Sequence, residues 1–231
     1  MFRLAMVTTL ATLVLASGQA QAADPADLLQ QIRDQRAEDA VQATEAAQQQ
    51  HLNRYGVVQL HEDGTATIHG LQWMRCSLGQ QWEPDPENPA DGTCSGDALQ
   101  ANLDESLKLA SRINDAGGFA GHTDWRLPTI TELEALRLCS TGRTKESEAL
   151  PDGKTTFRWC DGEYDVPTID SQVFPNTPSG WFRSSSISPR PRPPQFAWIP
   201  PQVGLVYFRR GLVAYASPDG GAHIRLVRAG Q

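Results

Sequence analysis

His122 and Asp124 stand two residues apart in the stretch GHTDWRLPTITELEAL, residues 121–136. Both residue types are common in metal sites and in catalytic sites. A histidine and a carboxylate at this spacing can ligate a metal ion, or act as a general base and the group that orients it. No third ligand and no nucleophile is spaced to join them. The alternative is a turn in which Asp124 accepts hydrogen bonds from backbone N–H groups while His122 lies on the surface, and we favour this alternative.

Other polar clusters give no stronger indication of catalysis. Ser184, Ser185 and Ser186 lack the pattern of a nucleophile elbow, so we expect them in a strand or a turn. Glu83 and Asp85 flank a proline in a stretch rich in Pro, Gly and Asp, which we interpret as a solvated acidic loop. Because no acid, base and nucleophile converge, we expect no catalytic residue, no metal site and no cofactor, and we predict that the protein is not an enzyme.

Arginines are the residues that we expect to bind a ligand. Residues 56–180 carry nine basic and twenty acidic side chains, whereas residues 181–231 carry seven arginines and one acid, Asp219. A guanidinium group matches the geometry of a sulfate or a carboxylate. We therefore predict a surface that binds an anionic polysaccharide or an acidic envelope protein, formed by Arg183, Arg190, Arg192, Arg209 and Arg210. The alternative is that these arginines only balance the charge of the acidic remainder of the fold.

The amino-terminal residues 1–22 have the features of a signal peptide. Arg3 precedes an apolar run over residues 4–16, and Ala20-Gln21-Ala22 supplies the small residues before a cleavage site. No later stretch approaches the ~18 apolar residues of a membrane span, and a formal net charge of −7 argues against nucleic acid as a partner. We expect an exported protein without a membrane span, located in the periplasm or outside the cell.

Four cysteines in an exported chain predict two disulfides. A metal site would need clustered cysteines and histidines, and the sequence has no Cys-x-x-Cys and no suitably spaced histidine pair. Three pairings are possible. Proximity in sequence favours Cys76 with Cys94 and Cys139 with Cys160, which would close two loops of similar size. Each bond could add about 3 kcal/mol by restricting the unfolded chain.

The remaining pattern predicts an α+β fold preceded by an amino-terminal helix. Residues 23–54 lack glycine and are rich in Ala, Gln and Glu, so we expect a helical stalk or linker. The segment 25–54 could associate with copies of itself or with an envelope partner. Residues 102–115 have the spacing of an amphipathic helix, and the capping-box pattern of Thr129 and Glu132 predicts that a second helix begins after Thr129. Beyond Cys160 the sequence predicts short antiparallel strands.

Several long stretches resemble one family of bacterial domains. In chain order they are GLQWMRCSLGQQW, SRINDAGGFAGHTDWRLPTITELEAL, TIDSQVFPNTPSGWFRSSS, FAW and IRLVRAG. Together they are similar to the Lcl C-terminal domain family, found in collagen-like adhesins and other exported proteins, over residues 55–231. The resemblance implies a C-type-lectin-like fold with two helices, short antiparallel strands and long loops, distantly similar to that of formylglycine-generating enzymes.

The same resemblance bears on activity. An adhesin member is associated with sulfated glycans, which implies carbohydrate binding by analogy. The sequence departs from the family pattern at Arg183, where an aromatic residue is usual, and in a Pro/Arg-rich insertion after Ser188. The oxidation catalysed by formylglycine-generating enzymes needs reactive cysteines late in the chain, and none follows Cys160.

We therefore predict an exported, non-enzymatic and adhesin-like binding module at the cell envelope. The alternative is a structural or assembly subunit of an envelope, pilus or transport complex that uses the amino-terminal helix.

Overall fold

A computed structural model describes residues 29–39, 41, 55–146, 158–188, 195 and 200–230. The chain divides into two compact units, residues 1–48 and 49–231. The proposed signal peptide, most of the proposed stalk, and Arg190 and Arg192 lie outside the described residues. Within the described residues, no helix combines the length and the apolar character that crossing a bilayer requires.

Residues 29–39 of the first unit form helix α1. All described side chains of this helix are exposed, including Leu29 and Ile32. Two pairs one helical turn apart stabilise it locally, because Gln30 donates to Asp34 over 2.9 Å and Gln35 donates to Asp39 over 3.1 Å.

The second unit contains two principal sheets. The first sheet is antiparallel, with strand order β1-β2-β3-β13, and comprises β1 (Val58–Leu60), β2 (Thr65–Ile68), β3 (Leu71–Met74) and β13 (Val227–Ala229). The second sheet has the order β11-β10-β9-β12-β6 and comprises β6 (Gln100–Ala101), β9 (Trp181–Ile187), β10 (Val203–Tyr207), β11 (Leu212–Ala216) and β12 (Ala222–His223). Only the β9–β12 contact of this sheet is parallel.

Two short hairpins and two helices complete the described part of this unit. The hairpins pair β4 (Gln81–Glu83) with β5 (Thr93–Ser95), and β7 (Thr144–Glu146) with β8 (Arg158–Cys160). Helix α2 (Leu103–Asp115) starts at a capping box made by Asn102 and Glu105. Helix α3 (Ile130–Ala135) starts at the capping box predicted from Thr129 and Glu132, which is confirmed. The fold is thus α+β, with few helices and several antiparallel sheets.

Two apolar clusters hold these elements together. The larger one joins both principal sheets to α3, and at its centre lie Trp73, Leu133, Phe174, Phe182, Val206 and Phe208. The smaller one packs α2 and the approach to α3 against the end of the chain, through Ala110, Trp125, Leu127, Ile224 and Leu226. Each such large side chain, once buried, contributes about 1.5–3 kcal/mol.

Both disulfides are formed, and the pairing favoured by proximity is confirmed. Cys76 bonds Cys94, and Cys139 bonds Cys160. The first bond ties the end of β3 to β5, and the second ties the segment after α3 to β8. Each bond therefore attaches a peripheral hairpin to the body of the unit.

Candidate anion-binding site

The turn between β10 and β11 carries Arg209 and Arg210. Two hydrogen bonds fix the backbone of this turn. Cys160 N donates to Arg210 O over 2.8 Å, and Arg137 Nη1 donates to Gly211 O over 2.8 Å. Gly211 has a φ of +63°, and a Cβ added there would lie 2.7 Å from Cys160 Sγ. Glycine is required because the turn approaches the disulfide this closely and adopts the left-handed region. The second disulfide therefore supports the turn directly.

A shallow, open depression of about 500 Å³ lies beside this turn, lined by Gly162, Glu163, Tyr164, Val166, Arg209 and Arg210. Both arginine side chains are exposed. Within the described part of the chain, neither guanidinium has a hydrogen-bond or ion-pair partner. Two adjacent cations thus remain available to an external anion, beside a half-buried tyrosine ring.

Neighbouring cations are more strongly engaged with the protein. Arg137 forms an ion pair with Glu134 at 3.3 Å, and Arg143 approaches Asp161 at 3.5 Å. Burial lowers the pKa of Arg137, an effect that the charge of Arg158 reinforces and the carboxylate of Glu134 opposes. Arg209 and Arg210 therefore supply the unpaired positive charge on this part of the described surface.

Arg183 is not part of this exposed surface. Its side chain lies in β9 and is only 1% exposed. Arg190 and Arg192 lie outside the described residues. Of the five arginines predicted to form one surface, the structure therefore brings Arg209 and Arg210 together and separates Arg183 from solvent.

Two further arginines of the basic segment, Arg225 and Arg228, are also buried. Arg225 donates to Met74 O over 2.8 Å, to Thr177 Oγ1 over 2.7 Å, to Ser77 Oγ over 3.3 Å and to Arg75 O. Burial lowers the pKa of Arg225 to about 9, an effect that Tyr55 opposes and the charge of Arg75 reinforces. The seven arginines of residues 181–231 therefore overstate the positive charge of the surface.

Asp124 of the predicted His122–Asp124 pair contacts a buried arginine of the first sheet. Asp124 Oδ1 accepts from Arg228 Nε over 2.7 Å, and this hydrogen bond lowers the pKa of Asp124. Arg228 Nη1 also donates to Gln72 Oε1 over 2.7 Å, so Arg228 links the turn that contains Asp124 to the first sheet. A backbone hydrogen bond also contributes to the lowered pKa of Asp124, as expected for a turn, but the buried Arg228 is its principal partner, which the sequence did not indicate. The described residues contain no cluster of three or more side chains suited to a metal ion.

The three consecutive serines are also structural. Ser184 Oγ donates to Gly204 O over 2.8 Å, and Ser185 Oγ donates to Pro128 O over 3.1 Å. Ser186 Oγ accepts from Ile130 N over 2.9 Å, which satisfies one backbone donor in the first turn of α3. The contacts of Ser185 and Ser186 fix the start of α3 on the second sheet, and that of Ser184 joins β9 to β10.

Two aromatic residues near the arginine turn were missed. Trp181 is half-buried and stacks on Tyr207, with ring centroids 4.6 Å apart. Tyr164 lines the depression. The available signal was that Tyr207 stands two residues before Arg209 in the sequence, but the pairing of Trp181 with Tyr207 depends on the register of β9 and β10.

Comparison with known proteins gives one match. Residues 65–228 match the family model for the Lcl C-terminal domain. No curated protein and no solved structure matches the chain. The matched residues include both disulfides, both helices of the second unit and the Arg209–Arg210 turn, and they make up more than half of the chain. The chain therefore belongs to the Lcl C-terminal domain family.

Proposed function

We propose that this chain is an exported, non-enzymatic binding module that holds an anionic glycan at the Arg209–Arg210 turn. The carrying observation is the pair of exposed guanidinium groups, which line an open depression and lack partners within the described residues. Family membership is suggestive of an adhesin-related module. Disulfides and an adhesin-like family are both consistent with export, and we assign the protein to the periplasm or the extracellular space.

The finer fold assignment belongs to the same proposal. We assign a C-type-lectin-like arrangement, supported by the family match, the two short helices and the many short strands. In this arrangement the disulfide Cys139–Cys160 acts as a support for the binding turn rather than as a redox centre.

The geometry sets the expected strength of binding. A hydrogen bond to a charged partner contributes about 1.5–3 kcal/mol where water is excluded, but less on a surface this open. Two guanidinium groups therefore predict weak binding to a single sulfate or carboxylate. A polymer that presents many such groups would rebind and gain avidity. Binding should weaken with salt because both cations are exposed and screened.

A polysaccharide screen tests the proposal. The mature protein is measured against immobilised sulfated, uronic and neutral polysaccharides at low and moderate salt. We expect salt-sensitive binding to the anionic polymers, lost in Arg209→Ser/Arg210→Ser and retained in Arg112→Ser, which removes an exposed arginine from α2. Absence of binding, insensitivity to salt, or equal binding by the double variant would each refute it. An acidic protein that binds in place of the polymers, through the same two residues, would identify the other partner class.

A second candidate function is assembly through α1. Its exposed Leu29 and Ile32, together with its short length, favour this alternative, because an isolated helix of this size is marginal in water. If the protein assembles through α1, deleting residues 25–54 should lower its particle mass in solution by more than the mass of the deleted segment. A monomeric full-length protein would remove the motive for this alternative.

A further inference from the structure

We propose that Arg183 forms a second site, separate from the Arg209–Arg210 turn, for a small free oxyanion such as sulfate or a carboxylate. The site lies on one face of the second sheet. Phe182 and Val206, which face each other across β9 and β10, are fully buried in the main core. Successive residues of a strand point to opposite faces. Arg183 therefore lies on the other face, with its partner Leu205 beside it.

The guanidinium of Arg183 is buried but largely unpaired. Nη2 donates to Gly220 O, whereas Nε and Nη1 are buried and have no hydrogen-bond partner among the residues that the structure describes. No carboxylate within the described residues forms an ion pair with it, and burial alone lowers its pKa. Buried polar groups are nearly always hydrogen-bonded, and an uncompensated buried cation is strongly destabilising. These two donors therefore lack an acceptor among the described residues, and a bound oxyanion is the acceptor that we propose.

Two other buried arginines, Arg225 and Arg75, have more hydrogen-bond acceptors than Arg183. Arg225 has four acceptors, and its guanidinium lies 4.5 Å from the ring centroid of Phe174. Arg75 donates to three backbone carbonyls and stacks 4.2 Å from the ring centroid of Trp82. Arg183 has one acceptor within the described residues. Arg225 also leaves Nε without a partner among the described residues, but Arg183 leaves both Nε and Nη1, the larger deficit. A bound oxyanion would fill it with charge-assisted hydrogen bonds.

The surroundings of Arg183 offer further donors and a cover that can open. Trp181 and Tyr207 pair across the strands on the same face, and in the described part of the protein neither the indole N–H nor the phenol hydroxyl has a hydrogen-bond partner. Gly220, which caps the guanidinium, is exposed, as is Gly221. Glycine backbone can adjust at low cost, so this turn is the expected route of entry for a small ion.

The proposal predicts that oxyanions stabilise the folded protein. A ligand that binds only the native state raises the melting temperature, and at ten times its dissociation constant the rise is about 3–6 °C for a domain of this size. The mature protein is titrated with sulfate and with acetate at constant ionic strength, and chloride serves as the control anion. We expect a saturable rise with at least one oxyanion and a smaller one with chloride.

Two variants locate the effect. Arg183→Met should abolish the rise and should be at least as stable as the wild type in anion-poor buffer, because it removes an uncompensated cation. Arg209→Ser/Arg210→Ser should keep the rise, which separates this site from the proposed glycan site. The inference is overturned if the wild type shows no saturable rise, if Arg183→Met shows the same rise, or if Arg183→Met is much less stable without anions. The proposed glycan site and the proposed oxyanion site can therefore be refuted independently of each other.

Discussion

Replacing Arg225 with methionine is the most direct test of how the buried arginines stabilise this fold. Arg225→Met leaves two backbone carbonyls and the hydroxyls of Ser77 and Thr177 without their donor, and it removes a cation stacked on Phe174. A buried group that loses its partner costs about 1–3 kcal/mol. Relief of the burial penalty, which lowers the pKa of Arg225 to about 9, offsets part of this loss. We expect a net loss of about 3–5 kcal/mol.

Guanidinium chloride unfolding under non-reducing conditions, followed by tryptophan fluorescence, measures this loss. For a domain of this size, the same change corresponds to a fall in melting temperature of about 6–20 °C. Arg112→Met controls for removing an exposed arginine and should change stability by less than about 0.5 kcal/mol. A loss of less than about 1 kcal/mol in Arg225→Met, or a loss no larger than that of Arg183→Met, would show that the hydrogen-bond count does not govern stability here.

Two further predictions concern α3 and the turn before it. Arg126 holds the pKa of Glu132 down to about 2 through hydrogen bonds of 2.7 and 2.8 Å. Since the unfolded value is near 4.3, this contribution is complete above that pH and disappears as the pH falls toward 2. After discounting for exposure, Glu132→Gln should cost about 1 kcal/mol in denaturant unfolding at pH 7 and almost nothing at pH 2; an equal cost at both pH values would contradict it. Gly118 has a φ of +83°, and a Cβ there would lie 1.9 Å from the backbone oxygen of His122. Gly118→Ala should therefore lower the melting temperature much more than Gly117→Ala does. Gly117 also has a positive φ, +103°, so alanine is strained there, but a Cβ added at Gly117 would meet no atom within 4 Å. Equal losses would show that the close approach is unimportant.

Local signals were sufficient for the helix starts and the disulfides. The capping box of Thr129 and Glu132 involves residues three positions apart, so its chemistry is visible in the sequence. Cys139 and Cys160 are 21 residues apart, and proximity favoured their pairing correctly. Both features depend on interactions at short range along the chain.

Charge patterning was a weaker guide, because it does not reveal which face of a strand a residue occupies. Arg183 and Phe182 are adjacent in β9 but lie on opposite faces, and each is fully enclosed. Their burial depends on sheet pairings between residues distant in sequence. Arg228 has the same dependence, because its acceptors on Gln72 and Asp124 come from distant segments. A count of arginines over residues 181–231 therefore could not separate interior cations from surface ones.

The position of β13 has a consequence for biosynthesis. This strand pairs with β3 on one side, and on the other side Val227 exchanges two backbone hydrogen bonds with Arg126. An exported polypeptide that crosses the membrane amino terminus first cannot complete the first sheet until β13 has emerged. Until then Trp73 lacks its pairing partner Val227. Cys76 and Cys94 are only 18 residues apart and can oxidise before that moment. Cross-linking of the early hairpin should therefore precede closure of the sheet, and incomplete chains should remain accessible to chaperones and proteases.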